Sequence, residues 1–273
     1  MTYRTRKIIS NILLFLESIL LFLILITFTL RITILNKNNI IKKLDKTNYY
    51  EKVYNETVDN MKYITRKSGY SSKIIDDTFS IEDIKRNTKN YIESIYENKK
   101  IEINTEFLKE NIEENLDNYI KEKNIEVNDS KKAEYINKIT TTYKNEIRLM
   151  NEFNDTSSYI NKYINLSNTL LILFIIDLIV IIIINKKIFN KQEYYIPCFS
   201  SVISLLITNI IVKIISKNLF IYNIQVTEVI KLIIKKSLGI NILLILLFII
   251  LGIITFKFIK EEKEEIYELK CTP

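Results

Sequence analysis

The side chains of this sequence that are best placed to take part in chemistry or binding are a few polar residues inside long apolar runs. Glu17 lies in the first run, Asp177 in the second, and Asn209 and Lys213 in the third. A carboxylate at the centre of a bilayer costs about 2.5–3.5 kcal/mol on insertion scales, so it normally has a partner. We expect Asn209 or Lys213 to be the partner of Asp177, and Lys257 to be the partner of Glu17.

These intramembrane polar residues allow two interpretations. A path for ions or protons requires a continuous relay of polar groups, and one or two acids do not make one. Polar contact between spans, or with another subunit, requires only the pairs themselves. The sequence favours the second interpretation.

The residue types that most enzymes use are scarce. The chain contains no histidine and only two cysteines, Cys198 and Cys271. The missing histidine removes the commonest general base and the usual zinc ligand. We therefore predict no catalytic residue, no metal site and no cofactor, and a protein that is not an enzyme.

The net charge of +7 raises the question of nucleic-acid binding. The charged segment 36–165, however, mixes acidic and basic residues throughout and has no basic patch. A mixed-charge, solvated surface is the simpler interpretation, and we predict no nucleic-acid partner.

Four apolar runs are long enough to cross about 30 Å of hydrocarbon. With only 3 glycines and 2 prolines, the composition favours long helices. The first run, in 1–35, has no small residues at its end for signal cleavage and is predicted to stay as an anchor. The other spans are predicted at 166–184, 196–215 and 240–256, which together with their connections make up the region 166–259.

Two further segments lie beside these spans. The connector 216–238 has an amphipathic pattern, which predicts a helix lying in the headgroup plane. The charged tail 260–273 is predicted to continue the last span and offers a docking site for a cytoplasmic partner. In the third span Ser201, Ser204 and Thr208 share one face, which we expect to pack against another helix.

The segment 36–165 is predicted to form four helices. The first covers about 38–67 and is followed by Gly69 as a C-terminal cap. Ser80 and Asp83 form a capping-box pattern at the start of the second. The third begins near Asn104 or Thr105 and the fourth near Asp129 or Ser130. Apolar residues at helical spacing in these segments include Leu44, Val53, Met61, Ile81, Ile84, Tyr91, Leu108, Ile112, Leu116, Ile136, Ile139, Tyr143, Met150, Phe153 and Ile160.

These elements predict an all-α fold, a polytopic membrane protein with four transmembrane helices and an extracytoplasmic helical bundle between spans 1 and 2. Arg4, Arg6 and Lys7 precede the first span, and further lysines follow the second and fourth spans. The positive-inside rule then places both termini in the cytoplasm and 36–165 outside the cell. The predicted location is the plasma membrane.

The phrase 74–79, Ile-Ile-Asp-Asp-Thr-Phe, leads directly into Ser-Ile-Glu-Asp at 80–83. This phrase and the order of the spans resemble uncharacterised four-span membrane proteins of low-GC Gram-positive bacteria. The layout is also similar to MacB- and FtsX-type permeases, which implies a coupled cytoplasmic ATPase. The glycine-containing segment that those permeases carry between spans 2 and 3 is replaced here by the short stretch 185–190. The layout also resembles chemoreceptor sensors, without their signalling helix.

Two functions follow as the main hypotheses, and a third, a membrane enzyme, has the least support because nothing in the sequence resembles an acid–base or nucleophile set. The first is a membrane scaffold or sensor that acts through contacts of its outer domain and its spans with other membrane proteins, or with further copies of itself. The second is a permease-like subunit of a transporter. The lipid bilayer is a partner in both.

Overall fold

The structure is a computed structural model that describes residues 3–147, 153–189, 193–218 and 224–271. These residues are almost entirely helical and include no strand. The helices, in chain order, are α1 (Tyr3–Thr33), α2 (Lys37–Leu44), α3 (Tyr49–Lys67), a 3₁₀ turn (Ser72–Ile75), α4 (Ile81–Glu97), α5 (Glu106–Lys123), α6 (Asp129–Ile147), α7 (Phe153–Ile184), a π-helical turn (Asn185–Phe189), α8 (Tyr195–Lys217) and α9 (Ile224–Cys271).

Four of these helices are long and apolar enough to cross a membrane, as predicted. Their candidate spanning portions are Arg4–Thr33, Lys162–Lys187, Tyr195–Lys217 and Thr227–Glu261. Each contains one of the apolar runs recognised in the sequence. Backbone hydrogen bonds close within such helices, so hydrocarbon leaves none of their central peptide groups unsatisfied.

The connector 216–238 is not a separate helix over the part that the structure describes. One helix, α9, begins at Ile224 and continues through the fourth span to Cys271. At a rise of about 1.5 Å per residue its length is about 72 Å. Gly239 is the one breaker near the expected junction, and a single glycine costs a helix only about 1 kcal/mol. The amphipathic pattern therefore marks the first turns of a long helix.

The described chain divides into two compact units. One contains the spanning helices α1, most of α7, α8 and most of α9. The other, which we call the intervening unit, contains 37–163 together with the start of α9 as far as Val229. Within the intervening unit Lys52 Nζ lies 3.1 Å from Glu228 Oε2.

The intervening unit has its own apolar core. Tyrosines and aliphatic residues from α3 to α6 meet in it, and the rings of Phe79 and Tyr143 pack edge to face with their centroids 5.3 Å apart. Such burial stabilises helices that would be marginal alone. The largest of its fully buried side chains include Leu44, Tyr49, Met61, Ile75, Ile84, Tyr91, Ile92, Leu108, Ile112, Leu116, Ile139 and Tyr143.

The sequence signals at the helix ends are largely confirmed. Ser80 Oγ accepts the N–H of Asp83, and the Asp83 carboxylate accepts the N–H of Ser80, which completes the predicted capping box. Gly69 has φ +82°, the left-handed conformation expected of a residue that ends a helix. Asn98 and Asn124 end α4 and α5 in the same conformation.

Three predictions in this segment differ from the structure or fall outside it. The helix predicted at 38–67 is two helices, α2 and α3, separated by a turn at 45–48. Ile81, predicted to be in the core, is exposed because it is the first residue of α4. Met150 lies outside the described residues, and Phe153 is the first residue of α7.

Glu146, near the end of α6, is a half-buried acid. Burial raises the pKa of its carboxyl group above the ordinary value, the hydrogen bond that it accepts from Asn60 Nδ2 at 2.9 Å lowers it, and the charge of Glu56 raises it. The net effect is a raised pKa, so the charged form destabilises the folded intervening unit.

We expect Glu146→Gln to stabilise the intervening unit at neutral pH. A folded-state pKa above the unfolded value contributes stability that is present at low pH and is lost as pH rises through the folded-state pKa. Glutamine cannot ionise and avoids that loss, so the two proteins should converge below about pH 4, near the ordinary glutamate pKa. Amide hydrogen exchange of α3 and α6 in the full chain measures the effect, and Glu110→Gln at an exposed position is the control. A destabilised Gln variant at neutral pH would contradict the prediction.

Candidate functional site

Two buried clusters of polar residues join the spanning helices, whereas Asp177 and Lys213 are exposed. The first cluster, the Glu17 cluster, consists of Ser10, Glu17 and Asn185. Asn185 Nδ2 donates a hydrogen bond to Glu17 Oε1 at 2.6 Å, and Ser10 Oγ donates to Asn185 Oδ1 at 3.4 Å. Glu17 is 1% exposed and Asn185 is fully buried. The partner of Glu17 is therefore Asn185, and not Lys257, which is exposed on α9.

The local backbone positions this cluster. Asn185 is the first residue of the π-helical turn that follows α7, and such turns widen a helix and redirect its side chains. Tyr194, just before α8, lies near enough to Glu17 for the charge of that carboxylate to affect its phenol. Burial raises the pKa of the Tyr194 phenol, and the charge of Glu17 raises it further.

Small residues hold α1 and α8 together beside the Glu17 cluster. Ser201 is fully buried, and its Oγ donates to the backbone oxygen of Ser18 at 3.3 Å. The small-residue face predicted in the third span thus contacts another helix at Ser201. On α9, a Cβ added at Gly252 would lie 3.0 Å from Phe199 Cζ, so glycine permits this close approach to α8.

The second cluster, the Asn241 cluster, consists of Thr29, Asn209 and Asn241 and joins α1, α8 and α9. Thr29 Oγ1 donates to Asn241 Oδ1 at 2.8 Å, and Asn241 Nδ2 donates to Asn209 Oδ1 at 2.8 Å. Asn241 uses both ends of its amide in these bonds. Asn209 is therefore a partner of Asn241 and does not contact Asp177.

Apolar packing separates the two clusters. Along α1, Glu17 and Thr29 are about 18 Å apart. The space between them is filled by Leu25, Val202, Leu205, Ile245 and the residues packed on them. A proton relay requires contiguous polar groups, and this apolar layer separates the Glu17 cluster from the Asn241 cluster. The arrangement favours polar contact between spans over conduction.

Asp177 and Lys213 are both exposed, and the structure does not bring them together. Asp177 lies on α7, about 15 Å along the axis from Lys187 and about 22 Å from Lys162, well inside the candidate span. Only 6% of the most apolar window of that span is buried. Among the described residues Asp177 makes no hydrogen bond or ion pair.

Sequence reasoning missed Ser10, Thr29, Asn185 and Asn241 as members of polar clusters. Asn241 had a usable signal, because a lone amide in the otherwise apolar run 240–256 requires a partner in hydrocarbon. Asn185, at the end of a predicted span, could equally have faced water. No group of three or more acidic, cysteine or histidine side chains that could hold a metal ion occurs among the described residues.

The four helices that are long and apolar enough to cross a membrane, with buried polar contacts between them, indicate an all-helical membrane protein with four candidate spans. No protein family matches the chain, and no curated protein or solved structure matches it either.

We expect Asn185→Leu to destabilise the spanning helices, whereas Glu17→Gln leaves them close to the wild-type stability. Leucine leaves a buried carboxylate without its donor, which costs about 1–3 kcal/mol, while glutamine keeps the accepting oxygen. The unfolding midpoint of the purified full chain in detergent measures both changes. Asn165→Leu, at an exposed position of α7, is the matched control. Equal damage from Glu17→Gln and Asn185→Leu would show that the charge itself is required.

Proposed function

We propose that this protein is a non-enzymatic membrane scaffold or sensor that acts by binding other protein chains through its spanning helices and its intervening unit. The observation that carries this proposal is the exposure of α7. An isolated span surrounded by lipid is common, but one that carries an unpaired acid in its central part is not.

The energetics of Asp177 support a contact that lies outside this chain. The two buried clusters satisfy their polar groups within the spans, whereas Asp177 bears an insertion cost of about 2.5–3.5 kcal/mol without compensation. A protein surface that covers α7 and offers a hydrogen-bond donor would offset this cost. Binding is thus favoured at Asp177, where the isolated chain leaves a charged side chain in the span without a partner among the described residues.

The intervening unit supplies a second surface for contacts. Its core is closed and its outer faces are charged, and the ion pair between Lys52 and Glu228 ties α3 to the first turns of α9. Since α9 contributes residues to both compact units, a ligand or partner on the intervening unit acts on a helix that also spans the membrane. This continuity suits a sensor.

We assign both termini to the cytoplasm and the intervening unit to the outside of the plasma membrane. This orientation rests on the basic residues Arg4, Arg6 and Lys7 before α1 and on Lys186 and Lys187 after α7. The permease alternative has less support. The stretch 185–194 between the second and third spans is short, and it offers little surface to couple with an ATPase.

Cysteine labelling tests the orientation. Lys100, with 85% of its side chain exposed, is replaced by cysteine in a chain with Cys198→Ala and Cys271→Ala. We expect a membrane-impermeant maleimide to label position 100 in intact cells. In a second chain with Cys198→Ala alone, the natural Cys271 should react only after permeabilisation. Labelling of both positions from the same side would contradict the proposed topology.

Photo-crosslinking in the native membrane tests the function. A photoreactive amino acid at Ile176, which is 50% exposed on α7, should form adducts with protein chains. The matched control is the same probe at the fully buried Leu205, where only adducts within the chain are expected. If the probe at Ile176 reacted with lipid alone, α7 would not be a protein-binding surface and the proposal would lose its support.

A further inference from the structure

Asp177 lies in the middle of an exposed apolar stripe on α7. Leu173 and Val180, one turn to either side, are 48% and 47% exposed, and Leu166 continues the stripe with seven-residue spacing. This spacing places the side chains along one seam of a helix, the pattern by which two helices pack side by side. The stripe has no covering element among the described residues.

Lys213 occupies the corresponding place on α8. Leu206 and Ile210 are exposed on the same face of that helix, and the Lys213 side chain makes no hydrogen bond or ion pair within the described chain. The two stripes therefore have the same construction, with one charge in an apolar row, and the two charges are opposite in sign.

The two charges also lie at similar depths. We measure depth along the helices from Glu17 and its neighbour Ser18. Glu17 contacts α7 at Asn185 and Ser18 contacts α8 at Ser201, so these two contacts mark nearly the same depth on α7 and α8. Asp177 lies about 12 Å along α7 from that level and Lys213 about 18 Å along α8. The flexible four-carbon stem of lysine can bridge the difference of about 6 Å.

The pair is self-complementary between two copies of the chain. In a two-fold dimer, the α7 of each copy meets the α8 of the other, so Asp177 and Lys213 pair twice. Each pairing relieves two charges that lipid solvates poorly. The described spans offer no other basic side chain as near to this depth, since Arg31 lies about 21 Å along α1 from Glu17.

We propose that the exposed stripes of α7 and α8 form a homodimer interface, in which Asp177 of one copy forms an ion pair with Lys213 of the second copy. This inference rests on the proposed function and names its partner as the same chain. If the photoreactive probe at Ile176 crosslinked only to proteins other than a second copy of this chain, the proposed function would stand and this inference would be overturned.

Energy transfer in lipid vesicles tests the interface. The full chain with Cys198→Ala is labelled at Cys271 with donor or acceptor and diluted in lipid. We expect the wild type to dimerise, and Asp177→Lys or Lys213→Asp alone to weaken dimerisation at least about tenfold. Mixing the two variants should restore it, because in the mixed dimer both contacts again join opposite charges. A pair formed within one chain would gain nothing from mixing.

Two further variants keep the test decisive. Arg31→Asp mixed with Asp177→Lys is the matched control: Arg31→Asp should dimerise with itself like the wild type, because Asp177 and Lys213 are intact, but it should not restore the dimerisation of Asp177→Lys. Asp177→Leu favours insertion and removes the charge, so it should also weaken the dimer by about tenfold, and mixing it with Lys213→Asp should recover less than the mixture of charge-reversed variants, because only one of the two contacts then joins opposite charges. Three results would overturn the interface: a monomeric wild type, an undiminished Asp177→Leu dimer, or no recovery in the mixture of charge-reversed variants.

Discussion

Hydrocarbon offers no hydrogen-bonding partner, so every polar group within a span must be satisfied by its own helix, by another helix or by another chain. The described spanning helices show the first two means. Their peptide groups close within α1, α7, α8 and α9, and hydroxyls such as Ser18 and Thr33 donate to carbonyls one turn earlier. The amides Asn185 and Asn241 connect neighbouring helices. Asp177 and Lys213 make no side-chain hydrogen bond or ion pair within the described chain, and we propose a second chain as their partner.

The intervening unit obeys a different rule, because water solvates its charged faces and its stability must come from its own core. The apolar positions of α3 to α6 converge there, and several buried polar side chains are hydrogen-bonded within the unit, as when Asn87 Nδ2 donates to Tyr143 Oη at 3.0 Å. Most of its ion pairs are exposed and contribute little individually. The unit can therefore tolerate the abundant lysine and glutamate of its surface without needing most of them for its fold.

The sequence was sufficient for the features that depend on composition or on local backbone chemistry. The four apolar runs, the capping box at Ser80 and the cap at Gly69 are of this kind, because length, hydropathy and adjacent side chains determine them. The partners of Glu17 and Asn209 could not be found in the same way. An apolar run shows that a helix is in lipid, but it does not show which face meets which neighbour, and with nearly uniform isoleucine and leucine the faces are indistinguishable. The long helix α9 was missed for a related reason, since an amphipathic pattern looks the same at the membrane surface and on a helix that continues into a span.

Polar contacts between the described spans are unevenly placed, and those of α7 are confined to Asn185 at its end. The helices α1, α8 and α9 share the Asn241 cluster and the apolar layer around Leu205, so their arrangement is determined within the chain. Helix α7 is joined to α1 through Asn185 at its end, and Ser167 is the other buried residue in its described span. Lipid gives apolar helices little reason to associate, so the rest of α7 gains nothing by packing on its own chain. A contact at Asp177 would be the interaction that fixes its position, and binding at that residue would then decide how α7 is placed against α1, α8 and α9.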